Sequence, residues 1–176
     1  MKTIFIAALQ DETKGLKNFH FTGVGKINAT LKTVELIIEY GPDRIVNFGT
    51  AGSTKTNISG LVKCTRFVQR DMDVRGLFDF VLGETPFDDI TDIQFGDNGF
   101  TCGTGDNFVS ASPEMGSDLV DMEAYAIAKV CYQESVPFTC FKYISDYADQ
   151  SAAKDFTENV KKAGKAFSEF LIDKSI

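Results

Sequence analysis

Short apolar segments, each followed at once by polar residues, alternate along this sequence with segments of helical periodicity. This alternation restricts the possible folds more than any other feature. The apolar segments have the length and composition of buried strands, and they lie at residues 3–9, 19–22, 44–48, 61–69, 100–103 and 138–144. Strands that alternate with helices through short connections predict an α/β fold with three layers, α/β/α, around a mixed, largely parallel central sheet.

Helical periodicity is present in three segments. Residues 27–40 form the first predicted helix, and Gly41-Pro42 ends it, as Gly and Pro commonly do beyond a helix. Residues 119–124 lead into a second helix, and residues 152–171 form the last. The periodic apolar residues of the three helices are Ile27, Leu31, Val34, Ile37 and Ile38; Ala126, Ile127, Val130 and Cys131; and Phe156, Val160, Ala163, Phe167, Phe170 and Leu171. Residues 70–97, rich in Asp, Gly and Pro, are predicted to be irregular chain at the surface.

Length and charge bound the domain organisation and the class of partner. The 176 residues, without an internal repeat or linker, predict a single domain over residues 1–176. The formal net charge of −7 predicts repulsion from phosphate backbones and anionic lipid, so we expect neither nucleic acid nor a membrane as partner. No signal peptide and no apolar run close to the ~20 residues of a membrane span are present, which favours a cytoplasmic location.

The cysteine and histidine inventory argues against a zinc site. The four cysteines form no CxxC pair, and His20 is the only histidine. Cys131 and Cys140 lie in apolar contexts, where a small buried thiol is the usual interpretation.

Three carboxylates, Glu12, Glu123 and Asp146, each come just after an apolar strand. Ligands of such sheets bind beyond the carboxyl ends of the strands, so these side chains are expected on one rim. A glycosidic bond breaks through an oxocarbenium-like transition state, and its cleavage needs an acid, a base and an acceptor for the sugar hydroxyls. Taken singly, each carboxylate is also compatible with a solvated loop residue or a helix cap.

Two glycine-rich loops each allow two interpretations. Gly49-Thr50-Ala51-Gly52-Ser53 could bring backbone N–H groups to an anion or a ribose, but it matches neither a P-loop nor a dinucleotide fingerprint. Gly23-Val24-Gly25-Lys26, directly before a predicted helix, is equally compatible with an anion site and with a plain turn.

Several motifs in order along the chain resemble the purine nucleoside phosphorylase/nucleosidase superfamily, and within it methylthioadenosine/S-adenosylhomocysteine nucleosidases most closely. The more specific motifs are Val120-Asp121-Met122-Glu123-Ala124 and Ile144-Ser145-Asp146-x-Ala148-Asp149. The others are Ile6-Ala7-Ala8-Leu9-Gln10-Asp11-Glu12, Gly23-Val24-Gly25-Lys26, Asn47-Phe48-Gly49-Thr50-Ala51-Gly52 and Gly105-Asp106-Asn107-Phe108-Val109. The resemblance implies a nucleoside phosphorylase-like fold, a small-molecule nucleoside substrate, a homodimer, and no metal or organic cofactor.

The same resemblance implies a role for individual residues. Asp146 would protonate or hydrogen-bond N7 of an adenine beside Ser145, and Glu12 would activate the attacking water. Glu123 would accept hydrogen bonds from the ribose hydroxyls, with Met122 packed against the sugar. The remaining substrate-binding residues implied are Phe108 and Val109 at the purine, Leu9, Val24 and Phe156 at the 5′ substituent, and Ala51 and Gly52 of the glycine-rich loop. The aromatic and aliphatic members are equally compatible with ordinary core packing.

Hydrolysis, phosphorolysis and binding without turnover are the competing functions. No arginine precedes Arg44, so the amino-terminal arginines of a phosphorylase phosphate site are absent, which favours hydrolysis. Relative to the family the chain is short, helical material around residues 79–97 is missing, and Lys142 stands where many bacterial members have arginine. The 5′ group is left open between methylthio, homocysteinyl, deoxy and that of a modified nucleoside.

Overall fold

The computed structural model describes the backbone of residues 1–174 and the side chains of residues 1–171. A 3-10 turn, Gln10–Thr13, follows the first strand. The strands are β1 Thr3–Ala7, β2 Phe19–Phe21, β3 Arg44–Ser53, β4 Leu61–Gln69, β5 Asp92–Gln94, β6 Phe100–Thr104, β7 Leu119–Asp121 and β8 Phe138–Asp146. The helices are α1 Lys26–Tyr40, α2 Ala124–Gln133 and α3 Ala152–Lys174.

The eight strands form one mixed sheet that closes on itself. Neighbouring strands pair in the ring β3–β8–β4–β6–β7 and back to β3, while β1 and β2 extend from β3 and β5 pairs with β4. The β3–β7, β4–β5 and β4–β8 pairs are antiparallel. The predicted α/β class and mixed sheet are confirmed. The three-layer, largely parallel arrangement is not, because the barrel-like ring replaces an open sheet.

A fork in the sheet lies beside β3. The partner β8 occupies one edge of β3 from Ile45 to Gly52, so β1 and β7 must share the other edge. There β1 pairs with Arg44–Asn47, whereas β7 pairs only with Gly52 and Ser53. Between these two pairings the chain turns away from the sheet at the end of β1 and enters the 3-10 turn. In the described part of the chain, the middle of β3 therefore has no strand on this edge, and a recess forms over it.

The glycine-rich segment Gly49–Ser53 is part of a strand, which corrects the predicted loop. It continues β3 because β8 pairs with it as far as Gly52, with a register shift between Ala51 and Gly52. The strand β8 likewise runs on to Asp146, beyond its predicted end. Both extensions depend on pairing with distant chain, which local composition does not reveal. In the same way, antiparallel pairing with β4 makes a strand of β5 inside the stretch predicted to be irregular.

The helix α1 is confirmed, but most of its apolar stripe does not face the core. Its buried residues are Ala29, Thr33 and Leu36, and it packs against α2. Four of the five periodic residues are instead exposed, from 37% for Val34 to 80% for Ile38. The exposed members are Ile27, Leu31, Val34 and Ile38.

Two apolar clusters hold the fold together. The larger fills the inside of the ring and the space under α1 and α2, and it includes the buried thiols of Cys64, Cys102, Cys131 and Cys140. In the smaller cluster, Phe48 of β3 stacks on Phe167 of α3 with ring centroids 4.1 Å apart. Burial of this aromatic pair fixes α3 against the outside of the sheet.

The contact of α3 with the 3-10 turn matters for the site. A Cβ on Gly164 would lie 2.8 Å from the carbonyl oxygen of Lys14, so only glycine allows this approach. The turn that carries Glu12 is thereby held between β3 and α3.

Candidate active site

A cavity of about 260 Å³ occupies the recess over β3. It is surrounded by the carboxyl ends of β1, β6, β7 and β8 and by the amino-terminal part of α3. All twelve residues named from the sequence line it: Leu9, Glu12, Val24, Ala51, Gly52, Phe108, Val109, Met122, Glu123, Ser145, Asp146 and Phe156. The structure therefore brings the predicted set together, while the role of each residue stays a prediction.

Glu12 is buried and held by three hydrogen bonds. Its Oε1 accepts from the backbone N–H and from the hydroxyl of Thr50, both at 2.7 Å. Its Oε2 accepts from the backbone N–H of Leu9 at 2.9 Å. A carboxylate so fixed has one orientation toward the cavity, which suits a group that must align a water molecule.

Asp146 lies at the end of β8, where two local donors hold it. Its Oδ1 accepts from the Ala148 N–H at 3.0 Å, and its Oδ2 accepts from the Ser145 hydroxyl at 2.8 Å. Burial raises the pKa of Asp146 despite these bonds. A raised pKa favours the protonated form that a general acid needs.

Glu123 stands between β7 and α2, and its Oε1 accepts from the Gly25 N–H at 2.9 Å. Burial, and secondarily the charge of Asp121, raises the pKa of Glu123 to about 7. The three carboxylates thus have different environments around one cavity, which is how carboxyl groups acquire different protonation states at one pH.

A buried ion pair lies beneath these carboxylates. The Lys142 ammonium is 2.9 Å from Asp121 Oδ2, and the Thr104 hydroxyl donates to Asp121 Oδ1 at 2.5 Å. Burial opposes ionisation of Asp121, but Lys142 together with the hydrogen bonds from Thr104 and Ala124 outweighs it, so the pKa of that carboxyl is lowered. The apolar run around residues 138–144 gave no signal that Lys142 would lie inside the ring.

Two backbone donors at the amino end of α1 are occupied by acidic side chains of the protein. The Gly25 N–H donates to Glu123, and the Lys26 N–H donates to Asp106 Oδ1 at 2.8 Å. The Lys26 ammonium lies 2.6 Å from Asp71. Of the two interpretations of Gly23-Val24-Gly25-Lys26, the structure supports a turn, because the Gly25 and Lys26 donors are used within the protein.

Apolar side chains form the mouth of the cavity. Phe108 and Phe156 face each other edge to face with ring centroids 6.4 Å apart. Leu9, Val24 and Phe108 are exposed, at 36% to 51%, rather than packed in the core. The alternative of ordinary core packing therefore does not hold for these three residues.

Six further residues line the cavity without having been predicted: Ala8, Thr50, Arg70, Asn107, Val120 and Asp121. Five of them lie within the quoted motifs, and all of these except Val120 directly adjoin a predicted position. Arg70 lies in none of them. The segment Arg70-Asp71-Met72-Asp73-Val74 resembles a substrate-loop segment of the family, but that resemblance gave Arg70 no definite role. Among the described side chains, those of residues 1–171, no cluster of His, Cys, Asp and Glu could hold a metal ion. None of the described helices combines the length and apolar character needed to cross a membrane.

An α/β barrel-like sheet with a concave, carboxylate-lined site beyond its strand ends defines the class of small-ligand-binding α/β proteins. Comparison with known proteins makes this specific: the sequence profile of the Phosphorylase superfamily matches residues 20–174, and the chain belongs to that superfamily.

Individual relatives agree. The 5′-methylthioadenosine/S-adenosylhomocysteine nucleosidase of Anoxybacillus flavithermus is 31% identical over 179 residues, covering 85% of this chain and 76% of the relative. Among solved structures, the nucleosidase of the same name from Helicobacter pylori superposes with a TM-score of 0.87 at 23% identity, covering 98% of this chain and 96% of the other. The futalosine hydrolase of Helicobacter pylori also reaches 0.87, at 22% identity and 98% coverage of both chains. At these identities the two structures show the shared fold.

Proposed function

We propose that the protein hydrolyses the N-glycosidic bond of 5′-methylthioadenosine, S-adenosylhomocysteine or a related purine nucleoside, releasing adenine and a ribose derivative. The observation that carries this proposal is the convergence of Glu12, Glu123 and Asp146 on one cavity, each in a different electrostatic environment. The relatives named as nucleosidases of these two substrates support the same assignment.

In the proposed reaction the bond from the ribose anomeric carbon to N9 of the base breaks as Asp146 donates a proton to N7. Glu12 takes a proton from water, whose oxygen bonds to the anomeric carbon as the oxocarbenium-like character develops. Glu123 accepts hydrogen bonds from the ribose hydroxyls, and Met122 packs against the sugar. Phe108 stacks on the base, and the Val109 backbone pairs with its edge.

The cationic side chains near the cavity are engaged by protein oxygens, which favours hydrolysis over phosphorolysis. Within the described chain, Arg70 is the only cationic residue that lines the cavity, and its recorded hydrogen bonds go to protein oxygens. Lys26 is paired with Asp71. A phosphate co-substrate would need cationic donors aimed at it, and these two groups are engaged within the protein.

The test is base release from methylthioadenosine, S-adenosylhomocysteine, adenosine and inosine, each with and without phosphate, resolved by chromatography. Free adenine together with free methylthioribose, at a rate independent of phosphate, is expected. A requirement for phosphate with release of ribose 1-phosphate would replace hydrolysis by phosphorolysis. Binding of a nucleoside without any base release would leave only a binding role.

We also propose a homodimer, in which the exposed apolar stripe of α1 is covered by a second copy. The stripe Ile27, Leu31, Val34 and Ile38 begins beside the cavity-lining Val24. A second apolar cluster lies in the segment after β4, where the rings of Phe78, Phe80 and Phe87 contact one another with centroids 5.8 to 6.2 Å apart. Phe78 and Phe87 are exposed. Contiguous exposed apolar surface of this kind is typical of protein interfaces.

A further inference from the structure

Arg70 is a buried cation at the cavity for which the proposed reaction has no use. It follows the last residue of β4, is 7% exposed, and its backbone N–H continues the sheet by donating to the Thr104 carbonyl at 2.9 Å. Burial lowers the pKa of its guanidinium. A buried charge is costly unless its donors are satisfied, so the partners of this group show what it does.

The guanidinium hydrogen-bonds to one short segment of chain. Its Nε donates to the Gly103 carbonyl at 3.2 Å, and its Nη2 donates to the carbonyls of Gly105 at 3.2 Å and Asn107 at 2.6 Å. Its Nη1 donates to Asn107 Oδ1 at 2.7 Å. Among the described residues no carboxylate lies within ion-pair distance of Arg70, so all these bonds hold the segment from Gly103 to Asn107.

The segment is shaped to fit the guanidinium. A Cβ on Gly105 would lie 2.8 Å from Arg70 Cζ and 2.9 Å from its Nη1, so the backbone lies directly against the planar group. The planar guanidinium spreads five donors over three nitrogens and so reaches acceptors that lie apart, whereas lysine carries its three donors on one nitrogen.

Arg70 is also the last anchor before the two residues assigned to the base. In the described part of the chain, no hydrogen bond is recorded for the backbone of Phe108 or Val109. The preceding Asp106 is held by Asp71 and by the amino end of α1. The position of Phe108 and Val109 over the cavity therefore depends on how Asn107 is held.

We infer that Arg70 is a positioning residue for recognition of the purine base, acting through Asn107 on Phe108 and Val109. This inference rests on the proposed function, because it takes the ligand of these two residues to be a purine. It predicts a defect confined to the base half of the ligand.

The test measures inhibition by adenine and by methylthioribose separately, with the KM for methylthioadenosine, in wild type and in Arg70→Lys. Arg66→Lys is the matched control, since Arg66 lies on the same strand, makes a bidentate bond to Asp92 and is half-exposed away from the cavity. We expect Arg70→Lys to raise the adenine inhibition constant and the KM at least about tenfold, because a buried acceptor loses its donor. The methylthioribose constant should stay within about threefold, and Arg66→Lys should match wild type.

Unchanged adenine inhibition in a folded Arg70→Lys variant would overturn the inference. So would an equal loss for both inhibitors, which would mean a general structural role. If Arg70→Lys does not fold, Asn107→Ala decides, since it removes one acceptor and keeps the charge: a selective loss for adenine supports the inference and no loss overturns it. Wild type that releases no adenine and binds none would instead end the proposed function, a result that does not depend on any variant.

Discussion

The ammonium of Lys142 lies 2.9 Å from the carboxylate of Asp121, and each side chain is only 1% exposed. Burial works against both charges, yet each stabilises the other in its ionised form. Removing one partner of such a pair leaves an uncompensated charge inside the ring of strands, next to the carboxylates of the site.

Lys142→Met should therefore lower the free energy of unfolding by about 3–5 kcal/mol, measured by urea denaturation at pH 7. The double variant Lys142→Met/Asp121→Asn should recover part of this loss, because asparagine is neutral and keeps an oxygen that can accept from Thr104 or Ala124. Effects of the two single variants that simply add up would show that the pair is not coupled.

Glu123 should give the activity a pH dependence. Its pKa of about 7 keeps it protonated at mildly acidic pH, whereas accepting hydrogen bonds from ribose hydroxyls with both oxygens requires the ionised form. On the acidic side of the pH profile, we expect kcat/KM to rise with pH up to about 7 and then to level off. Glu123→Gln should lower kcat/KM and remove the inflection, whereas the exposed Glu158→Gln should retain it; an inflection that persists in Glu123→Gln would assign it to another group.

The ionisation of Glu123 should affect the free energy of unfolding in the opposite direction, so that stability falls as pH rises. The pKa of Glu123 is raised from 4.5 to about 7, so between these values the folded state binds more protons than the unfolded state. The stability that this group contributes is thus fully present below pH 4.5 and is lost as pH rises through 7. The free energies of unfolding of wild type and Glu123→Gln should be measured in urea at pH 5 and pH 8. The difference between them should shift in favour of the variant at the higher pH.

Much of the fold was predictable because its local signals agree. The strands and helices were predicted near their observed positions, since apolar runs and Gly41-Pro42 act within a few residues. Local patterns did not predict the features that depend on pairing between strands far apart in the sequence. These features are the continuation of β3 through Gly49–Ser53, the short β5, and the closure of the ring. The apolar stripe of α1 misled in another way, because periodicity marks an apolar face without saying what covers it.

The residues of the candidate site likewise fall into those that local motifs could predict and those that depend on partners distant in the sequence. Residues inside motifs, such as Glu12 and Asp146, could be named because strand ends of one sheet meet at a rim. Arg70 and Lys142 could not be assigned a place from the sequence. The hydrogen-bond partners of the Arg70 guanidinium lie 33 to 37 positions away, and the ion-pair partner of Lys142 lies 21 positions away. Only the folded chain brings these groups together.

Gly52 should be essential for the placement of Asp146. A Cβ at this position would lie 2.6 Å from Asp146 Oδ1 and 3.1 Å from Val120 Cγ2. Gly52→Ala should therefore displace the carboxyl and lower kcat by about tenfold or more in a folded protein. Gly116→Ala is the control, because no atom lies within 4 Å of its added Cβ. Equal activity of the two variants would show that Asp146 tolerates the shift.

Asp146→Asn tests the proposed acid directly. Asparagine keeps an acceptor for the local donors but cannot transfer a proton, so kcat should fall by a factor on the order of 10² or more. Substrate affinity, measured by equilibrium dialysis, should stay within about tenfold. Asp149→Asn is a matched control in the same loop, where the exposed Asp149 bonds only locally to Ser151. An unchanged kcat would remove Asp146 from the mechanism.

The proposed dimer can be tested on the α1 stripe. Leu31 and Ile38 are 66% and 80% exposed, so an aspartate at either position costs little in a monomer but buries a charge if a second copy covers the stripe. Light scattering of wild type should give twice the chain mass of 19.4 kDa. Leu31→Asp should shift it toward the single-chain mass, whereas Lys161→Ala on α3, which changes the net charge by the same amount, should not. The melting temperature of wild type should also rise with protein concentration, because association stabilises the folded state by mass action. Wild type that remains a single chain at every concentration, or Leu31→Asp that keeps the double mass, would show that α1 is not the interface.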